Sequence, residues 1–202
     1  MIVVGLTGSI AMGKSFVASV FAQFGTPVFD ADAAVRDFYS GEGASLIGNS
    51  FPSALMDGRI DRERLAQIVL SDIGALKRLE SLVHPAVAKA RAAFVEKAAS
   101  AGRRVVVADV PLLLETGGES AVDIVVVVSA PELAQRERAL ARNGMTGEKL
   151  DSILSQQLSD LEKRRRSHFV IDTGGSRDRT RAQVGQFLRS IGGLEGRRSH
   201  HA

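Results

Sequence analysis

A lysine and a serine close a short glycine-bounded run, Gly8-Ser9-Ile10-Ala11-Met12-Gly13-Lys14-Ser15, whose spacing is G-x-x-x-x-G-K-[ST]. The chemistry that such a run supports is phosphate binding. A nucleotide's β- and γ-phosphates crowd negative charge together, and successive loop N–H groups with a following helix N-terminus point at them. Gly8 and Gly13 permit backbone angles, and a closeness to phosphate, that a side chain would hinder. Ala11 and Met12 keep their N–H groups, as does Phe16 just beyond the loop. Lys14, as an exposed loop charge, reaches the β/γ-phosphates, and Ser15 offers a hydroxyl to Mg²⁺.

Other residues could do chemistry with a bound nucleotide. Asp30-Ala31-Asp32 sets two carboxylates two residues apart. One of them suits a helix N-cap, but a cap does not explain both. Asp109 ends the strand expected over 104–108, apolar from Val105 on, as in a Walker B strand whose carboxylate holds Mg²⁺. Val110-Pro111-Leu112-Leu113-Leu114-Glu115 follows as an apolar hook ending in an acid. Arg138 and Arg142 are four apart and share a helix face, where guanidinium groups clamp phosphates or simply meet solvent. His84-Pro85 stands between helical patterns, and a histidine there also serves just to close a helix. Lys163-Arg164-Arg165-Arg166 reads as a solvated helix end that suits the dipole.

The elements that position these groups follow from periodicity. Residues 2–6 are apolar throughout and read as a buried parallel strand, and 14–24 as the helix after the loop. A short strand over 26–29 leads to the two acids, and a helix spans 33–39. Residues 62–70, 73–82 and 86–100 carry helical spacing. The stretch from about 40 to 100 is therefore expected to be all-helical, broken at His84-Pro85 because the residue before proline leaves the α region. Strands over 104–108, 124–128 and 169–171 alternate with helices beginning at Pro131, over 147–165 and over 177–191. This is an α/β fold with a parallel sheet. In such sheets ligands sit at the carboxyl ends of the strands, so Asp32 is expected to end a strand beside the phosphate loop.

Composition bounds the rest. The 202 residues suffice for one core with a small insertion, and 45% hydrophobic and 24% charged content is ordinary for a globular chain. There is no cysteine, which excludes disulfides, thiolate metal sites and cysteine nucleophiles. No apolar run is long enough to span a membrane and no leader is visible, so a cytoplasmic protein is expected. The net charge of +3 suits an anionic small molecule as well as nucleic acid.

Taken in order, these motifs resemble dephospho-CoA kinase. The resemblance is carried by Leu6-Thr7-Gly8-Ser9-Ile10 with Gly13-Lys14-Ser15, by Asp30-Ala31-Asp32, and by Asp57-Gly58-Arg59-Ile60-Asp61-Arg62. It continues through Leu79-Glu80, His84-Pro85, Asp109-Val110-Pro111-Leu112-Leu113, Glu115, Gln135, Arg138, Arg142, Gln157 and Val170-Ile171-Asp172. It implies phosphorylation by ATP, with Mg²⁺, of the ribose 3′-hydroxyl of dephospho-CoA, giving CoA and ADP. It also implies a three-layer α/β/α P-loop kinase with a mostly parallel sheet. The core would be about 1–39 and 102–192, with a CoA-binding insertion at about 40–100, a lid at about 138–165 and a disordered tail at 193–202. Asp32 matches the family's general base, and Arg138 and Arg142 fall in the lid. His84, Asp109 and Leu112 fall on the acceptor's side, with Ser15 and Asp109 towards the metal. ATP and dephospho-CoA would be its partners, with no nucleic acid or membrane, in a monomer or weak homo-oligomer.

The chain departs from the usual pattern in three places. Ala11-Met12 stands where Gly-Ser is common, Phe16 where Thr or Ser is usual, and Gly174 where Asn is common near adenine, which leaves the adenine contacts open. Another small P-loop kinase would share the loop but not the His-Pro and Asp-Val-Pro-Leu-Leu set. A GTP switch would need Asn-Lys-x-Asp, and neither Asn49 nor Asn143 is followed by lysine. A nucleic-acid module would want aromatic platforms, and aromatics are only 5%.

Overall fold

The structure is a computed structural model that describes residues 1–56 and 58–194. In chain order the elements are β1 (Ile2–Thr7), α1 (Lys14–Gln23), β2 (Val28–Asp30), α2 (Ala31–Ser40), α3 (Gly43–Ser50), β3 (Leu55–Met56) and β4 (Arg59–Ile60). They continue as α4 (Arg62–Ser71), α5 (Ile73–Ser100), β5 (Val105–Asp109), β6 (Ile124–Ser129), α6 (Glu132–Leu140), α7 (Gly147–Ser155), α8 (Asp160–Arg165), β7 (Phe169–Asp172) and α9 (Arg177–Ile191). The carboxyl-terminal tail expected from 193 lies, from 195 on, outside the described residues.

Five strands form one sheet in the order β2-β5-β1-β6-β7. β1 runs parallel to both its neighbours, with Ile2 opposite Val105 and Val4 opposite Ile124, and β6 runs parallel to β7. These strands are apolar on both faces because both are covered. On one face Val4, Leu6, Val126 and Val128 meet Val17, Val20 and Phe21 of α1 and Val184 and Phe187 of α9. The rings of Phe21 and Phe187 meet edge-on, with centroids 5.9 Å apart. On the other, Val125 and Val127 pack with Leu113, Leu114 and Val122. Contrary to the expectation that Asp32 ends a strand beside the phosphate loop, β2 stops at Asp30, Asp32 lies in α2, and β5 stands between β1 and β2.

The chain divides into two compact units, Met1–Phe29 with Lys97 onwards, and Asp30–Glu96. The second has its own core of Phe38, Ile47, Phe51, Leu65, Leu79 and Val83. It is not all-helical: β3 and β4 form a small antiparallel hairpin, with Met56 opposite Arg59 and Gly58 at φ 76°. The sequence Asp57-Gly58 is a strong two-residue hairpin signal, here flanked by strands too short to show alternation. Asp61 then caps α4, accepting from the N–H groups of Glu63 and Arg64 at 3.0 and 3.1 Å.

α5 also corrects the expected break, since it runs through His84-Pro85 as one helix of 28 residues. An internal proline costs about 3 kcal/mol. The stripe of Leu79, Val83 and Val87 spans the proline and packs on one core, which holds both halves in line.

The single helix expected over 147–165 is two helices, because Ser159 caps α8 by accepting from the N–H of Glu162. Nor is the basic run at its end wholly solvated. Lys163 is fully buried, its Nζ 2.7 Å from Oε1 of Glu115, which also accepts from the N–H of Leu158 at 3.0 Å. Ser129 on β6 donates to Asp160 of the same helix at 2.8 Å. Among the described residues, no helix is long and apolar enough to cross a membrane.

Removing one partner of a buried ion pair leaves an uncompensated charge. Lys163→Met should therefore lower unfolding free energy by roughly 3–5 kcal/mol. The double variant Lys163→Met/Glu115→Gln, which keeps an acceptor for Leu158, should recover most of it in urea unfolding.

Candidate active site

The phosphate loop joins β1 to α1, and sterics set its shape. A Cβ at Gly8 would sit 2.7 Å from the carbonyl oxygen of Val128, so the loop can lie against β6 only with glycine there. Gly13 adopts φ 91° and caps α1. No side chain caps that helix and no acid stands in its first turn, which leaves its N-terminal N–H groups for an anion. Ala11 adopts φ 61°, a left-handed angle that glycine takes freely and alanine does not.

Side chains from the far half of the chain hold this loop. Ile10 donates its N–H to Oε1 of Gln157 at 3.1 Å and accepts from Nε2 of Gln135 at 2.8 Å. Thr173 donates its hydroxyl to the carbonyl of Met12 at 2.6 Å, and the N–H of Ala130 meets the Met12 sulfur at 3.2 Å. Arg138 reaches the same threonine, donating to its hydroxyl at 3.1 Å and its carbonyl at 2.7 Å. The roles of Gln135, Gln157 and Thr173 were not read from the sequence. The available signal was Gln135, the one uncharged polar residue among the charged and apolar residues of α6, and the structure buries it.

Lys14 is not a freely exposed loop charge. Its Nζ lies 2.6 Å from Oδ1 of Asp109, and both side chains are mostly buried. Ser15 is exposed, and Phe16 lies beneath the guanidinium of Arg177, 5.3 Å from the ring centroid. Leu112 is 41% exposed in the segment after β5. Arg142 is exposed and forms no ion pair among the described residues. The first unit thus gathers Gly8, Ala11 to Phe16, Asp109 and Arg138 about one loop.

The second unit carries the two acids and the histidine. Asp30 takes the cap of α2, accepting from the N–H of Ala33 at 2.9 Å, and its other oxygen lies 3.7 Å from Arg36. Asp32 stands in the first turn of α2, exposed, and its carboxylate meets no donor among the described residues. His84 is exposed midway along α5.

The glycine after β7 has a steric cause. A Cβ at Gly174 would lie 2.4 Å from Cδ of Pro131, and the Gly174 N–H bonds Asp172 at 2.7 Å in a tight turn. Proline at 131 and asparagine at 174 are therefore incompatible in this backbone.

Comparison with known proteins adds a consistent picture. A family model described as dephospho-CoA kinase matches residues 2–178. A dephospho-CoA kinase from Nitrobacter winogradskyi is 49% identical over 199 residues, covering 98% of this chain and all of that protein. The crystal structure of TT1252 from Thermus thermophilus superposes with a TM-score of 0.84 at 32% identity, covering 94% of this chain and 96% of that one. Dephospho-CoA kinase from Campylobacter jejuni shares the fold at a TM-score of 0.64 and 22% identity, covering 94% of this chain and 96% of that one.

The clash at Gly174 makes a direct forecast. Gly174→Asn should destabilise the protein by roughly 1–3 kcal/mol through overpacking. Adding Pro131→Ala should restore most of the loss, read as melting temperature for the two variants side by side.

Proposed function

We propose the following roles for the residues of this chain, which belongs to the dephospho-CoA kinase family. Its reaction is ATP-dependent phosphorylation of the ribose 3′-hydroxyl of dephospho-CoA to give CoA and ADP, the last step of CoA biosynthesis. Phosphoryl transfer asks for positioning and charge neutralisation more than covalent help.

The loop N–H groups and the open N-terminus of α1 receive the β- and γ-phosphates of ATP. Lys14 supplies the charge that follows the transferring group, and Asp109 keeps that ammonium aimed until the nucleotide arrives. Ser15 and Asp109 are the groups that would hold Mg²⁺. A P-loop site asks little more of the protein, because phosphates and water complete the metal's shell. When bound, the ion neutralises charge on the phosphates. Arg138, set against the loop through Thr173, and Arg142, which has no ion-pair partner among the described residues, close over the phosphates from a lid at about 138–165.

Asp32 is the general base. It orients the ribose hydroxyl and takes its proton as the bond to phosphorus forms. The observation that carries this reading is the division of labour at the start of α2. Asp30 caps the helix, and Asp32 keeps an exposed carboxylate with nothing to hold among the described residues. The region of about 40–100 carries the acceptor, with His84, and Leu112 and Asp109 complete its contacts. This chemistry needs no nucleic acid, membrane or partner chain, and it suits a cytoplasmic monomer or weak homo-oligomer.

Asp32→Asn keeps the shape of the side chain and removes the base. Turnover should fall by roughly 10²–10⁴, about 3–5 kcal/mol of barrier, with ATP affinity changed only a few-fold. A normal kcat in that variant would remove Asp32 from the mechanism. Lys14→Ala should nearly abolish turnover, and it should also lower the melting temperature because the mostly buried Lys14–Asp109 ion pair is lost. Near wild-type turnover at saturating ATP would mean that the loop does not hold the phosphates.

A further inference from the structure

Within the unit Asp30–Glu96 lies a cavity of about 350 Å³ lined by Arg36, Tyr39, Ser40, Arg59, Ile60 and Arg62. α2, β4 and the first turn of α4 supply the wall. Half of the lining residues are arginines and none is acidic. Arg36 has Asp30 at 3.7 Å, but Arg59 and Arg62 form no ion pair among the described residues. Guanidinium groups gathered without carboxylates repel one another, and an anion between them relieves that repulsion. Their planar forks match phosphate oxygens. Tyr39 adds a phenol that burial holds in its protonated form, against the opposing pull of Arg62.

We propose that this cavity binds the diphosphate of dephospho-CoA. The proposal rests on the reading above, that this unit carries the acceptor and that Asp32 receives its ribose hydroxyl. Asp32, Arg36 and Ser40 are spaced by four on α2 and so share a face. One such step rises about 6 Å. The 3′-hydroxyl and the 5′-diphosphate leave opposite sides of one ribose. An acceptor with its hydroxyl at Asp32 therefore extends its diphosphate along α2 towards Arg36. Arg59 and Arg62 then close on it from the hairpin and from α4.

The full-length double variant Arg59→Ala/Arg62→Ala tests this by calorimetric titration with dephospho-CoA and, separately, with ATP. Dephospho-CoA binding should weaken roughly tenfold or more, as expected for lost charged hydrogen bonds, while ATP binding stays within twofold. Arg59→Lys, which keeps the charge and loses the fork, should give a smaller loss and serves if the double variant does not fold. Lys77→Ala, an exposed charge on α5 outside the cavity, should change neither affinity. Unchanged dephospho-CoA affinity in the arginine variants would overturn the proposal. So would a matching loss for ATP, or an equal loss in Lys77→Ala, which would point to bulk charge. Hydrogen exchange on the wild type separates the two levels of failure. If dephospho-CoA protects residues 30–96 yet the arginine variants bind it normally, only the cavity assignment falls. If it does not protect them, the acceptor assignment of this unit falls, and the cavity with it.

Discussion

The pairing of Leu6 with Asp109 across β1 and β5 is the register on which the geometry of the glycine loop and Lys14 depends. It sets the carboxyl end of β5 level with the start of the phosphate loop, so that Asp109 meets Lys14 at 2.6 Å. A slip of one residue would turn the aspartate to the other face of the sheet. The parallel sheet makes this possible because all its strands deliver their carboxyl ends to one edge. β6 adds the backbone of Val128, against which only a glycine at position 8 can lie. The lysine's position is thus a product of sheet register and backbone contact, well before any ligand is considered.

A second division of roles governs the start of α2. Two aspartates begin α2, and a helix N-terminus has use for only one as a cap. Asp30 takes that place because it is the last residue of β2, still extended at φ −96° and ψ 108°, which is the geometry a cap needs. Asp32 is already helical and gains at most from the dipole. Chain geometry thus decides which acid caps the helix and which keeps an exposed carboxylate.

Much of this was legible in the sequence. The loop, its strand and its helix announce themselves through Gly8, Gly13 and Lys14, and α9 spans 177–191 as its spacing predicts. The failures share a cause: tertiary packing overrides a local signal. Pro85 reads as a break, but Leu79, Val83 and Val87 hold both sides of it on one core. Lys163 reads as solvated because it stands among arginines, and only the fold shows that Glu115 waits beneath it. The edge position of β2 is a matter of strand order, which no local pattern encodes. Likewise, nothing near Gln157 says that its partner is Ile10, 147 residues away.

Ala11 shows how these long-range contacts matter to the loop itself. A non-glycine residue at φ 61° costs about 1–2 kcal/mol. Its methyl joins a small cluster with Ala139 and Leu150, and burying one such group contributes about 0.8 kcal/mol. Burial therefore offsets only part of the strain, and the loop would relax if left to itself. It is kept in shape by bonds that bracket the strained residue, from Gln157 and Gln135 to Ile10 on one side and from Thr173 to Met12 on the other. Those three side chains belong to α6, the α7–α8 connection and the loop after β7, and Ala139 and Leu150 belong to α6 and α7. The alanine and its brackets thus make the shape of the phosphate loop answer to the segments that carry Arg138 and Arg142. A glycine at position 11 would carry neither that strain nor that contact.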